Sequence, residues 1–217
     1  MNREVLEALA ASTLYDVSMT IKPGMTVWRN YPHKQPEFET TADYKNGGHS
    51  HESRLHLDAH TGTHLDAPLH MVEGAATIET VTLDKLVRPC RVVDMTDVAD
   101  AVHAEDVAKA RPQRGEFLLL KTRNSKDPAW DDNFVFVAAD GATALMNAGV
   151  AGVGIDAVGI ERSQADHATH KTLLSSGIVI LEGLRLLDVP PGEYFMVAAP
   201  LKFEGVEAGL ARVLLFG

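Results

Sequence analysis

The sequence predicts a mixed α/β domain in which strands outnumber helices. Short apolar runs such as Glu116-Phe-Leu-Leu-Leu-Lys-Thr122 and Ile178-Val-Ile-Leu181 recur through the second half of the chain. Their length and β-branched content suit strands. Helix-like stretches are few and short, and a strand–helix–strand unit is legible across about 134–156.

Taken in order, residues 3–10 suit a short surface helix and Leu14–Met19 a strand. Residues 20–52 are rich in Pro, Gly, Asn, His and Lys and read as one long loop, which in a compact domain tends to be functional. It carries Trp28 and Tyr31, suited either to capping a neighbouring core or to walling a site for a flat substrate. Arg54-Leu-His-Leu-Asp-Ala-His60 alternates in polarity and reads as a strand running into a stiff loop. Cys90–Met95 is a strand, and Ala104–Arg111 a short helix ended by Pro112. Glu116–Thr122 and Phe134–Ala138 are strands. Asp140 can cap a helix from Gly141 to Ala148, with Gly149 as its stop. Gly152–Asp156 is a buried strand ended by its aspartate. A short helix follows from about Ala165 to Leu174, and on it His167 and His170 share a face. Ile178–Leu181, Tyr194–Ala198 and Ala211–Phe216 complete the strands. With no internal repeat or low-complexity tract, residues 1–217 are read as one domain.

Composition narrows the function. The net charge of −10 argues against nucleic acid or an anionic membrane as partner. No apolar stretch approaches the length of a membrane span, and the first residues lack the apolar core of a secretory signal. The single cysteine, Cys90, cannot form an intramolecular disulfide and beside Val92 and Val93 reads as a buried thiol. A reducing cytoplasm fits these features. There is no Gly-x-Ser-x-Gly elbow and no convincing dinucleotide or phosphate loop.

The chemistry concentrates in His60-Thr-Gly-Thr-His64-Leu-Asp66-Ala-Pro-Leu-His70. Four of the chain's ten histidines fall within residues 56–70. In an extended stretch His64, Asp66 and His70 share one side, with Leu65, Ala67 and Leu69 on the other. The preceding alternation delivers His60 to the same side. Gly62 allows a bend that brings His60 and His64 together. Imidazole and carboxylate together suit a divalent transition metal, so His60, His64 and Asp66 are the expected ligands. These three plus water leave an open catalytic position. Zinc is the first expectation, and manganese is the alternative that carboxylate-rich sites accept. His56 is taken as structural or as supporting the ligands. His70 lies on the same side, where a free imidazole suits proton transfer and ligation is the alternative. Glu182, at the end of a predicted strand, is either solvated or aimed at something.

This motif resembles the signature of the cyclase-like metal-dependent hydrolases, which include bacterial kynurenine formamidase and isatin hydrolase. The segment His167-Ala-Thr-His170-Lys-Thr-Leu-Leu, then Gly177-Ile-Val-Ile-Leu-Glu182, resembles the family's second metal-binding stretch. The run from Val189 to Lys202 resembles its C-terminal strand, so the likeness spans from about Asp16 to the end. It implies a swivelling β/β/α fold. It also implies a second ion held by His170 and Glu182 with a bridging carboxylate, where the residues alone equally allow hydrogen bonding to substrate or ligands. It casts His70 as the proton shuttle, and it implies a homodimer or higher homo-oligomer whose site a neighbouring subunit completes. The implied activity is hydrolysis of a C–N amide bond, foremost that of the aryl formamide N-formyl-L-kynurenine to formate and L-kynurenine in tryptophan catabolism. Trp28 and Tyr31 would then bind the substrate. Opening of a cyclic amide or lactone is the alternative activity, and a non-catalytic metal- or ligand-binding protein the alternative class. Departures fall in the pocket walls, at Trp28-Arg-Asn-Tyr31-Pro, Ala157-Val-Gly-Ile-Glu161-Arg-Ser and Ala208-Gly-Leu210.

Overall fold

The computed structural model describes residues 3–126 and 129–217. Its strands are β1 (Leu14–Asp16), β2 (Glu37–Ala42), β3 (Glu52–His56), β4 (His64–Asp66), β5 (Val87–Asp94), β6 (Ala101–Val102), β7 (Phe117–Lys121), β8 (Phe136–Val137), β9 (Gly152–Ile155), β10 (Val179–Glu182), β11 (Gly192–Val197), β12 (Ala208–Leu210) and β13 (Leu214–Phe216). The α-helices are α1 (Arg3–Ala11), α2 (Ala104–Ala110), α3 (Ala139–Ala148) and α4 (Ala168–Ser175).

Nine strands form one curled mixed sheet in the order β1-β13-β11-β5-β7-β9-β10-β4-β12. Its centre, β5-β7-β9-β10, is parallel, and both flanks are antiparallel. Of the central strands, β7, β9 and β10 are apolar on both faces over most of their length, as expected when both faces are covered. In β7, Leu118 and Leu120 join the core beneath the helices with Leu145 of α3 and Leu173 of α4. Phe117 and Leu119 point the other way, into a second core with Leu65, Leu181, Met196 and Leu215 inside the curl of the sheet. This is the mixed α/β architecture expected from the sequence, and it accords with a cyclase-like fold.

Several boundaries move. The 20–52 segment is not all loop: β2 lies in it and pairs with β3 as a separate two-stranded ribbon. The strand expected to reach His60 therefore stops at His56, and a bend occupies the residues before β4. The strand expected at Phe134–Ala138 keeps only Phe136–Val137. The strand expected at Ala211–Phe216 keeps only Leu214–Phe216, and β12 precedes it at Ala208–Leu210, where none was expected. Helix α3 starts at Ala139, so Asp140 lies in its first turn instead of capping it. Its carboxylate accepts from the Ala104 N–H at 3.1 Å, serving the start of α2. Gly149 ends α3 in the left-handed conformation, as expected. Asp156 ends β9 and accepts from the N–H and hydroxyl of both Thr122 and Ser125 at 2.5–3.2 Å, fixing the exit of β7. Cys90 is buried, and burial pushes its thiol up to about 12. Among the described residues no helix is long and apolar enough to cross a membrane.

Candidate active site

The site forms where β4 lies between β10 and β12. Alternation along β4 sends Leu65 into the inner core with no exposure, while His64 and Asp66 face the helix side. Burial of a leucine side chain contributes about 1.5–3 kcal/mol, enough to pin the register that aims both polar residues. Across the antiparallel pairing, Glu182 lies opposite His64 and Ile180 opposite Asp66. Glu182 thus faces the same side. Gly62 and Gly183 both have positive φ, and a Cβ on Gly183 would lie 2.3 Å from the Gly62 carbonyl oxygen. A glycine there lets the bend before β4 close onto the turn after β10, where the Thr63 hydroxyl donates to the Gly183 carbonyl at 2.6 Å.

Three more histidines reach this point. His60 comes from the bend, His70 from a 3-10 turn at Pro68–His70, and His170 from α4. His60 Nδ1 is 3.1 Å from Asp66 Oδ1, and His64 Nε2 is 3.4 Å from both Asp66 Oδ1 and Glu182 Oε2. His170 Nε2 lies 3.3 Å from Glu182 Oε1 and 3.6 Å from Asp66 Oδ2. The His70 ring is 4.2 Å from that of His60 and 5.4 Å from that of His170. Donor atoms of His60, His64 and Asp66 lie within 4.8 Å of one another, as do those of Asp66, His70 and His170.

A divalent cation suits this constellation. His60 Nε2, His64 Nε2 and both Asp66 oxygens are buried without a hydrogen-bond partner. Buried polar atoms are nearly always satisfied, so the orphaned His64 Nε2 and Asp66 oxygens, with His60 Nδ1 beside them, mark a place for an ion, while His60 Nε2 lies 3.5 Å from Glu207 Oε1. The Gly62 carbonyl lies 2.9 Å from His64 Nδ1, which makes that nitrogen the N–H and leaves Nε2 its lone pair. Charges are strongly coupled here. Burial works against a charged His64, but the carboxylates of Asp66 and Glu182, each 3.4 Å away, outweigh it and hold its pKa at about 10. Burial likewise opposes a charged His170, which Asp66, Glu161 and Glu182 raise to about 12. Burial pushes Asp66 up, and the surrounding imidazoles of His170, His60 and His64 overcome it and hold that carboxyl well below the carboxylate range. His70 differs: burial lowers it.

The cluster floors a cavity of about 480 Å³. Trp28 forms part of the wall and also packs edge-on against Trp130 at 5.3 Å, so it both lines the cavity and caps the core. Tyr31 does not line the cavity. Its ring stacks on His33, 5.3 Å away. His56 sits on the exposed ribbon, 3.5 Å from Glu39, away from the cluster. His167 precedes α4 in a left-handed conformation, exposed at the cavity edge, instead of sharing a helix face with His170. The sequence reading missed one residue, Glu161. It is buried, and its carboxylate lies 2.7 Å from His170 Nδ1. A signal existed: an acidic residue closing an otherwise apolar run, nine positions before His170.

Residues 15–162 match the model of the family described as "Putative cyclase". The chain belongs to that family. It is 38% identical over 207 residues to a kynurenine formamidase of Salinibacter ruber, covering 93% of this chain and 96% of the relative. A solved structure described as a potential metal-dependent hydrolase with cyclase activity superposes with a TM-score of 0.89 at 53% identity, over 95% of this chain and 98% of that one. Isatin hydrolase A of Labrenzia aggregata shares the fold, with a TM-score of 0.85 at 22% identity over 98% and 97%. Membership places this histidine- and carboxylate-rich cluster in a family of metal-dependent hydrolases.

Proposed function

We propose that this chain is a metal-dependent amidohydrolase acting on aryl formamides, with N-formyl-L-kynurenine as the leading substrate. One observation carries the reading: unpartnered donor atoms of His64 and Asp66 meet His60 Nδ1 beneath a cavity walled by an indole. The 38% identity to a kynurenine formamidase supports the choice of bond. His60, His64 and Asp66 would hold one ion, and His170 and Glu182 would hold a second. Zinc is the proposed metal, with manganese as the alternative. A bound divalent cation supplies Lewis acidity and draws a nucleophile from water near neutral pH.

The protein's own groups do the rest. Trp28 stacks on the substrate ring and leaves the small formyl carbonyl over the cluster. His70 stands beside both His60 and His170, and burial favours its neutral form. It takes up a proton as attack proceeds and delivers one to the departing nitrogen. Because the site collects residues from 60 to 182 and β12 shields it, residues 1–217 act as one domain.

Steady-state hydrolysis of N-formylkynurenine, isatin and an aliphatic formamide by zinc-loaded protein tests the substrate. N-formylkynurenine is expected to give the highest kcat/KM, and Trp28→Ala to raise KM more than it lowers kcat, because stacking serves ground and transition states alike. Preference for isatin would instead assign cyclic-amide opening. No turnover of any of the three, with metal bound, would make this a binding protein.

The proposed state is a homo-oligomer, built from dimers, of a chain resident in the cytoplasm. The β2–β3 ribbon supports this assembly. Two-stranded ribbons are marginal alone, yet this one presents the cross-strand pair Phe38 and Leu55 at 45% and 56% exposure. A second copy of the chain would cover them. Light scattering should give a multiple of 23.5 kDa, with Phe38→Glu shifting the population toward monomer. A wild-type mass of 23.5 kDa at assay concentration overturns the assembly.

A further inference from the structure

We propose that Glu161 is the positioning residue that fixes which nitrogen of His170 faces the cluster, and thereby sets how tightly the His170-held ion binds. This rests on the metal-centre reading above. Glu161 ends the stretch after β9 and is 3% exposed. Its Oε2 accepts from the His170 backbone N–H at 3.0 Å and from the ring Nδ1–H at 2.7 Å. Its Oε1 accepts from Gln164 Nε2 at 3.0 Å. Gln164 is held in turn, since its Oε1 accepts the Ala139 N–H at 2.8 Å and its amide also donates to the Thr169 hydroxyl at 2.8 Å. The carboxylate therefore sits in a fixed frame at the starts of α3 and α4.

Donor atoms of Glu161, His167 and His170 lie close enough to suggest a third ligand set. The hydrogen bonds argue against direct ligation by Glu161, because three donors already occupy its two oxygens. What it does is restrict His170. With Nδ1–H given to Glu161, only Nε2 remains to meet an ion, and Nε2 is the atom beside Glu182 and Asp66. Turning the ring over would leave a buried carboxylate short of its strongest partner. The two deeply buried histidines thus differ in backing. A neutral carbonyl orients His64, and an anion orients His170. A carboxylate behind an imidazole raises its basicity as a ligand. An acceptor lost here should weaken the ion at His170 more than the one at His64.

The test is Glu161→Gln, which keeps the shape but replaces one acceptor oxygen with a donor. Zinc affinity is measured against a chromophoric chelator, and the His170 Nδ1–H is followed as a downfield, slowly exchanging proton resonance. The expected result is one zinc equivalent weakened about 10–100-fold, the range for outer partners of ligating histidines, with the downfield proton shifted or lost and the melting temperature near wild type. A purely structural role would lower the melting temperature and leave both readouts of the folded protein unchanged. Folded Glu161→Gln with wild-type zinc affinity and an unmoved proton overturns the proposal. Should that variant not fold, Gln164→Ala, which loosens the carboxylate without removing it, must show the same two changes in smaller measure, and unchanged readouts there overturn it too. Wild-type protein that binds zinc but hydrolyses none of the three substrates defeats the formamide reading and leaves this one standing. Wild-type protein that binds no zinc defeats both.

Discussion

His64→Ala will purify with little bound metal and no measurable hydrolysis. Even partners that only orient a ligand are worth 10–100-fold in affinity, so losing the ligand itself should cost more than about 100-fold. The position gives a second reason. His64 is 1% exposed and lies between Asp66 and Glu182. Without it, two buried carboxylates face each other with less counter-charge, and breaking a buried ion pair typically costs about 3–5 kcal/mol. The variant should therefore also melt earlier, and metal content must be read on its folded fraction. Asp66→Asn provides the near-isosteric companion, retaining volume while removing the shared charge. Full zinc occupancy in both variants would remove His64 and Asp66 from the metal site.

His70→Ala should behave in the opposite way, keeping its metal while losing roughly 10²–10⁴-fold in kcat, the range for general acid–base groups. The ring stands beside His60 and His170, yet among the described residues no ion pair ties it to a carboxylate of the cluster. Its donor atom also lies within 4.8 Å of those of Asp66 and His170, so ligation is the alternative that the variant separates. Metal analysis and single-turnover kinetics on the same sample separate the roles. An active variant, or one stripped of metal, would make His70 a ligand or a bystander.

Much of this site was legible because a strand has period two. His64, Leu65 and Asp66 alone state which side faces the core and which carries chemistry, and the structure keeps that split. His60 reaches the cluster through the bend expected at Gly62, although the strand expected to lead to it stops at His56. Tyr31 illustrates the limit. The sequence placed two aromatics in one loop, but left-handed residues at Arg29 and Asn30 turn the chain between them and send the rings apart. Backbone reversals of this kind at non-glycine residues leave no trace in hydrophobic pattern. Glu161 was obscured for another reason. Its role comes from what α4 lays against it, and hydrogen-bond partners distant in sequence are not visible in spacing. Asp140 was recognised as a capping residue but assigned to α3, when its partner begins α2.

The pairing of residues 64–66 with 180–182 and 208–210 has a kinetic consequence. These are contacts between segments far apart in the chain, and such contacts repay their loop-closure entropy only late in folding. A ribosome-bound chain that has exposed the first histidines has not yet made β10, α4 or β12. A cation met at that stage would find His60, His64 and Asp66 on a flexible chain, without Glu182, His170 or the strands that bury them. Occupation of the His170–Glu182 half of the site would thereby wait for α4 and β10, long after the first three donors have been made.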